Sequence, residues 1–233
     1  MQLLGFRLLA TTLAVIVALS VVSRAQDYAK DEVKRVADAI TVFSEIMGAG
    51  DRAIPKSILG KAEGVAVFPG VIKAGFIVAA MRGRGILSVR DEDGNWSGPA
   101  FLTLTGGSFG LQAGGQSTDL VLVISNRKGL ENLVRNQFKI GGGASVAAGP
   151  VGRAVQASTD IQMRAQILSY SRARGVFAGI SLNGSTIRQD ADANLRFYRR
   201  KLSTSQIVFE RLGDADAPEP TPAWRAILDE YSK

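Results

Sequence analysis

Histidine and cysteine are both absent from the 233 residues. Without histidine, the usual base of a serine triad is missing, and so is the commonest metal ligand. Without cysteine, there is no thiol nucleophile, no disulfide, no lipid-anchored cysteine and no ordinary structural zinc site. Long apolar runs are scarce too. After Val22 no stretch reaches the ~20 apolar residues that a membrane-spanning helix needs.

What is present in excess is glycine, 26 residues, of which 22 fall between residues 60 and 184 with no period of three. A hydrophobic content of 46% is ordinary for a globular chain and argues against disorder. The N-terminus reads as a secretory signal over residues 1–25. Arg7 precedes an uncharged run from Leu8 to Val22, short of a full bilayer span. Ser23 and Ala25 set small residues at the third and first positions before a cut at Gln26. A retained anchor is the alternative. An exported chain without cysteine suits a bacterial periplasm better than a small cross-linked extracellular module. The expected location is therefore exported, periplasmic or extracellular, and peripheral on a membrane.

The mature chain from Gln26 has a net charge of +5, unevenly spread: −2 over residues 26–50, +5 over 51–90, −4 over 91–119, +6 over 120–175, +3 over 176–201 and −3 over 202–233. A basic body between acidic ends fits an anionic partner.

Val33, Val36, Ile40, Phe43 and Met47 recur at three and four residues, predicting a helix over 27–48 that Gly48 and Gly50 end. A short helix follows Pro55 and stops at Gly60. Then strands are expected: "GVAVFPG", "VIKAGFIVAA" with Ile72, Phe76 and Val78 on one face, and a hairpin turning at Asp93-Gly94. Asp119 to Ser125 is apolar enough for a central strand buried on both faces. "KGLENLVRNQF" reads as a short helix, "IQMRAQILSY" and "GVFAGISLNGSTI" as strands, and "ADANLRFYRRKL" as a helix. A Pro-rich linker leads to a closing helix with Trp224, Ile227, Leu228 and Tyr231. The fold class is α+β: a glycine-rich, mainly antiparallel twisted sheet or partly closed barrel, capped by an N-terminal helix and C-terminal helices.

Catalytic patterns are thin. Residues 106–117, "GGSFGLQAGGQS", contain the G-x-S-x-G pattern at Ser108, but no histidine can activate that serine, and β-like sequence follows it where a nucleophile elbow needs a helix. Ser125-Asn126-Arg127-Lys128 fits S-x-x-K without its partner motifs. A serine hydrolase acting through Ser108 or Ser125 stays only as a remote alternative. "DEDGNW" starts like a calcium loop, yet Trp96 replaces the required glycine and Leu102 the closing glutamate; a hairpin turn is the better reading. No phosphate-binding fingerprint is complete. The glycines of 106–117 read as strand positions allowing close packing, with a backbone phosphate cradle as the alternative. No enzyme activity, no cofactor, no metal and no nucleic acid are expected.

In order along the chain, "IPKSILGKAEGVAVFPGVIKAGFIVAA", "GRGILSVR", "NWSGPAFLTLTGGSFGLQAGGQSTDLVLVI", "SVAAGPVGR", "ILSYSRARGVFAGISLNGSTI" and "ANLRFY" resemble the SYLF lipid-binding domain, also called the actin-binding domain of yeast actin-patch proteins. Trp96-Ser97-Gly98-Pro99, Gly149-Pro150 with Gly152-Arg153, and Ser169-Tyr170-Ser171 carry most of the likeness. The resemblance implies a SYLF-like domain over residues 26–201, followed by an extension over 202–233. It also implies binding of phosphoinositides and other anionic phospholipids. Actin binding, known in some members, does not suit an exported chain, and the first helix is acidic where eukaryotic members use an amphipathic membrane-touching segment. Residue charge nominates Lys56, Lys61, Lys73, Arg82, Arg84, Arg153, Arg172 and Arg174 as lipid-binding candidates. The alternative is an envelope structural or adaptor protein that binds a protein partner.

Overall fold

The computed structural model describes residues 29–75, 78–109, 114–135, 137–141, 146–151, 165–173, 176–177, 182–215 and 217–233. The signal reading, Arg153 and Arg174 fall outside them. The helices are α1 (Lys30–Met47), α2 (Lys56–Leu59), α3 (Arg127–Val134), α4 (Ala191–Tyr198), α5 (Thr204–Val208) and α6 (Thr221–Ser232). The strands are β1 (Gly64–Gly75), β2 (Val78–Val89), β3 (Ala100–Phe109), β4 (Gly114–Ile124), β5 (Gln137–Lys139), β6 (Val146–Ala148), β7 (Ile167–Ala173), β8 (Val176–Phe177) and β9 (Thr186–Gln189). They form one sheet in the order β5-β9-β3-β2-β1-β4-β7-β6, with β8 also on β7. Every pairing is antiparallel except β6 with β7. The sheet curls into a half-barrel, and the α+β reading holds.

Three local expectations need correction. "VIKAGFIVAA" is not one strand: its first half ends β1 at Gly75 and its second half opens β2 at Val78. Ile72, set on the face opposite Lys73, is 58% exposed. "KGLENLVRNQF" is helical only to Val134; Arg135 turns extended, and Gln137–Lys139 joins β9 as a strand. The cause is visible in the sequence, because Phe138 and Ile140 are buried while Gln137 and Lys139 are exposed, a period of two rather than 3.6. On α1 the buried face is wider than the apolar stripe. Glu32 and Arg35 are buried while Val33 and Ile40 are only partly so.

Burial divides the sheet lengthwise. Val65 to Phe68, Ile86 to Val89, Ala100 to Leu102 and Leu120 to Ile124 are buried on both faces. These β-branched and large apolar runs are what a two-sided core requires. On one of those faces α1 crosses near Phe101, with the Arg35 guanidinium 5.2 Å above the ring. On the same face α6 docks through Trp224, fully buried and edge-on to Phe43 with centroids 5.8 Å apart. The expected closing helix thus docks on the N-terminal helix.

The curl depends on small residues. β1 is irregular between Phe68 and Val71, and the strand leans there over β2. A Cβ at Gly83 would come within 2.9 Å of Val71, and one at Gly85 would overlap the Val67 carbonyl and the Phe68 ring. Glycine at 83 and 85 therefore lets two backbones meet that side chains would hold apart.

Candidate functional site

The β2–β3 register is unbroken from Val78 opposite Phe109 to Leu87 opposite Ala100. Alternation therefore places Arg82, Arg84, Ile86 and Ser88 on one face of β2, and Phe101, Thr103 and Thr105 on the same face of β3. Helices α1 and α6 cover this face at Phe101 and Ser88. Beyond them no described helix covers it, and Arg82 and Arg84 are exposed. β9 and β5 continue it. Arg188 lies opposite Thr103 and Gln137, and Thr186 lies opposite Thr105 and Lys139. Two rows result: Arg82, Thr105, Thr186 and Lys139 across four strands, and Arg84, Thr103, Arg188 and Gln137 beside it.

Four cations thus alternate with hydroxyl and amide groups across four hydrogen-bonded strands. At ~4.8 Å between strands and ~3.3 Å per residue, the eight positions span about 14 Å by 7 Å. None of the four cations pairs with a carboxylate of the described residues. Guanidinium and ammonium heads interleaved with threonine hydroxyls offer many donors and almost no negative acceptors, which suits phosphate oxygens.

The other nominated residues are placed differently. Lys73 lies on the opposite face of β1, half-buried, with Met81 and Gln116 as its register partners. Arg172 is committed to Glu45 of α1 and, at 3.5 Å, to Asp119 of β4. Asp119 in turn accepts the Gly70 N–H at 2.9 Å. Lys56 and Lys61 are exposed near the Gly64 end of β1, far along the strand from Arg82. The sequence reading missed Arg188 and Lys139, although the alternation in "TIRQ" and "QFK" signals both.

Other charged clusters serve the fold. Glu32, 1% exposed, accepts two bonds from Arg196 at 2.8 and 3.0 Å; that bond holds the Arg196 guanidinium above its ordinary value. Arg35 pairs with Asp190 at 3.0 Å, tying α1 to the end of β9. A cleft of about 630 Å³ is lined by Glu63, Arg90, Asp91, Glu92, Arg127 and Arg211, among others. Its cations are occupied: Arg211 pairs with Asp91 and Asp214, Arg90 bonds the Gly60 carbonyl at 2.6 Å, and Arg127 stacks 4.4 Å from the Phe209 ring. Burial opposes ionisation of Asp91, but the Asn95 N–H and Arg211 outweigh it and hold the carboxyl below its ordinary value. The same contacts mark "DEDGNW" as a hairpin turn, with Gly94 at φ +86°. Burial pushes the Tyr170 and Tyr198 hydroxyls up; Tyr198 donates to the Pro99 carbonyl at 2.9 Å.

Ser108 lies within β3, with Ala79 as its register partner, not on a strand-to-helix elbow. In the S-x-x-K stretch, Asn126 caps α3 by accepting the Gly129 N–H at 2.9 Å. It is a strand-to-helix turn of ordinary kind. Within the glycine-rich stretch the small residues differ in use. A Cβ at Gly106 would strike Ser185, whereas one at Gly115 would meet nothing.

Residues 105–231 match a family model described as Ysc84, Las17-binding protein actin regulator. This chain belongs to that family. It is 33% identical over 207 residues to bovine SH3 domain-containing YSC84-like protein 1, covering 88% of this chain and 60% of that protein. The human protein of the same name is likewise 33% identical over 207 residues, with 88% and 59% covered. LAS seventeen-binding protein 3 of Saccharomyces cerevisiae is 31% identical over 197 residues, with 82% and 42% covered. The chain spans about 60% of the length of the mammalian relatives it matches. The family description and the yeast name both state binding to Las17, and the mammalian names state an SH3 domain. The SYLF resemblance read from the motifs and this family are the same.

Proposed function

We propose that this domain binds anionic phospholipid headgroups at a membrane surface, without catalysis, through the uncovered face of β2, β3, β9 and β5. The observation that carries the reading is the set of four cations, Arg82, Arg84, Arg188 and Lys139, which pair with no carboxylate of the described residues and are interleaved with Thr103, Thr105 and Thr186 on one face. Export through the signal at residues 1–25 belongs to the same reading and puts the domain at an envelope membrane. Each cation near an anionic surface contributes about 1 kcal/mol, screened by salt. Co-sedimentation should therefore rise as phosphatidylglycerol or a phosphoinositide replaces phosphatidylcholine in the vesicles, and fall as salt is added. Equal binding to pure phosphatidylcholine, or none to either, refutes it.

The family description favours a second reading, in which the same domain binds a protein partner. A stoichiometric partner that survives detergent removal of lipid, captured by the wild-type chain and lost with Arg84→Glu, would move the assignment to a protein ligand.

A further inference from the structure

The outer face holds more than charge. Ile72 of β1 lies opposite Arg82, and Ala74 lies opposite Ala80. Ile72 is 58% exposed, the most exposed large apolar side chain among the described residues. Ala74 and Ala80 are exposed beside it. Ser117 and Gly115, also exposed, extend the surface onto β4. The strand ends Gly75, Val78, Phe109 and Gly114 meet at this edge by register. No charged residue occurs between Lys73 and Arg82, and none between Asp93 and Asp119. One end of the four-stranded centre is thus uncharged, and the cations begin immediately behind it.

Resting on the headgroup reading above, we propose that the chain docks with this uncharged end leading, Ile72, Ala74 and Ala80 pressed into the headgroup–acyl boundary of an anionic bilayer and Arg82 and Arg84 turned back to the phosphates. Charge complementarity selects this occupant, since an apolar spot rimmed by cations that pair with no carboxylate of the described residues matches the layering of an anionic membrane surface. The dimensions agree. Interfacial elements sink ~5–10 Å into that boundary. At ~3.3 Å per residue, Ile72 and Arg82 lie about 10–13 Å behind the strand ends, so a leaning sheet brings Ile72 to the boundary while the long Arg82 side chain reaches back to phosphate.

The experiment uses the full chain and vesicles of phosphatidylglycerol in phosphatidylcholine. Its two tryptophans, Trp96 and Trp224, are 2% and 0% exposed, so a third at Ile72→Trp reports its own surroundings. Its emission should shift to the blue on binding, and acyl-chain-brominated lipid should quench it. Ile72→Asp should weaken binding about tenfold, and Ala80→Asp should weaken it in the same direction. Both positions are exposed, so the fold tolerates the changes. The loss from Ile72→Ser, which adds no charge, should persist in high salt, whereas the loss from Arg82→Gln should shrink. Binding that depends on Arg82 but shows no shift, no quenching and no Ile72→Asp effect overturns the inserted edge and leaves the headgroup reading standing. No vesicle binding at all overturns both. If Ile72→Asp instead turns a lipid-free dimer into a monomer and leaves vesicle binding unchanged, the edge joins two copies of the chain and the inference is wrong.

Discussion

Trp224 donates its indole N–H to Ser88 Oγ at 2.8 Å, joining the last helix to the end of β2 across 136 residues of chain. Both residues are fully buried. The indole contributes apolar area to the core, and the serine satisfies a donor that would otherwise be stranded there. Trp224→Ala should cost about 3–5 kcal/mol, the range for emptying a large aromatic site. Ser88→Ala should cost about 1–3 kcal/mol, because it strands the indole N–H. Urea unfolding followed by circular dichroism checks both; equal stability of Trp224→Ala and wild type would mean that α6 is not part of the core.

Position on the sheet should separate the cations that bind from those that do not. Arg84→Glu or Arg188→Glu should lower vesicle affinity about fivefold or more, given ~1 kcal/mol per lost charge and a further repulsion. Lys56→Glu and Lys61→Glu, near the other end of β1, should change it little. Arg172→Ala should act on stability instead, since it frees Glu45 and Asp119 from their shared partner. Vesicle titrations alongside thermal melts distinguish the two kinds of effect.

Glycine substitutions should split sharply. A Cβ at Gly149 would fall within the Tyr170 ring, which is buried and holds its place by donating to the Pro150 carbonyl at 3.4 Å. Gly149→Ala should therefore destabilise by about 1–3 kcal/mol or fail to fold, the cost of overpacking. Gly115→Ala, with nothing near its Cβ, should be neutral. Soluble yield and melting temperature of the two variants give the comparison.

Acid should remove one contribution at the β2–β3 hairpin. The folded Asp91 carboxyl is held below its ordinary value of 3.8. A lowered folded value means stability that is present above 3.8 and lost as pH falls through the folded value. Asp91 is partly exposed, so its pairing with Arg211 is worth less than about 1 kcal/mol. Asp91→Asn should have a slightly lower urea midpoint than wild type at neutral pH, and the difference should close in acid.

Much of this protein was determined by its sequence alone. The β-branched runs of β1 and β4, the Asp93-Gly94 turn and the ordered motifs gave the α+β class and the family, because those signals are local and periodic. The same local signals gave Arg82 and Arg84 as candidates by charge. Tertiary structure decided the rest. Whether a basic residue is free or spent depends on what the fold brings beside it. Glu45 and Asp119 reach Arg172 from distant parts of the chain, while no carboxylate of the described residues pairs with Arg188 or Lys139. Which end of a strand is covered depends on where α1 and α6 cross the sheet. That crossing buries Phe101 and Ser88 and leaves Arg84, two residues along β3's neighbour, in the open. Ile72 shows the limit most plainly, for hydrophobicity predicts that an isoleucine in a strand turns inward, and only the register that sets it opposite Arg82 puts it outside.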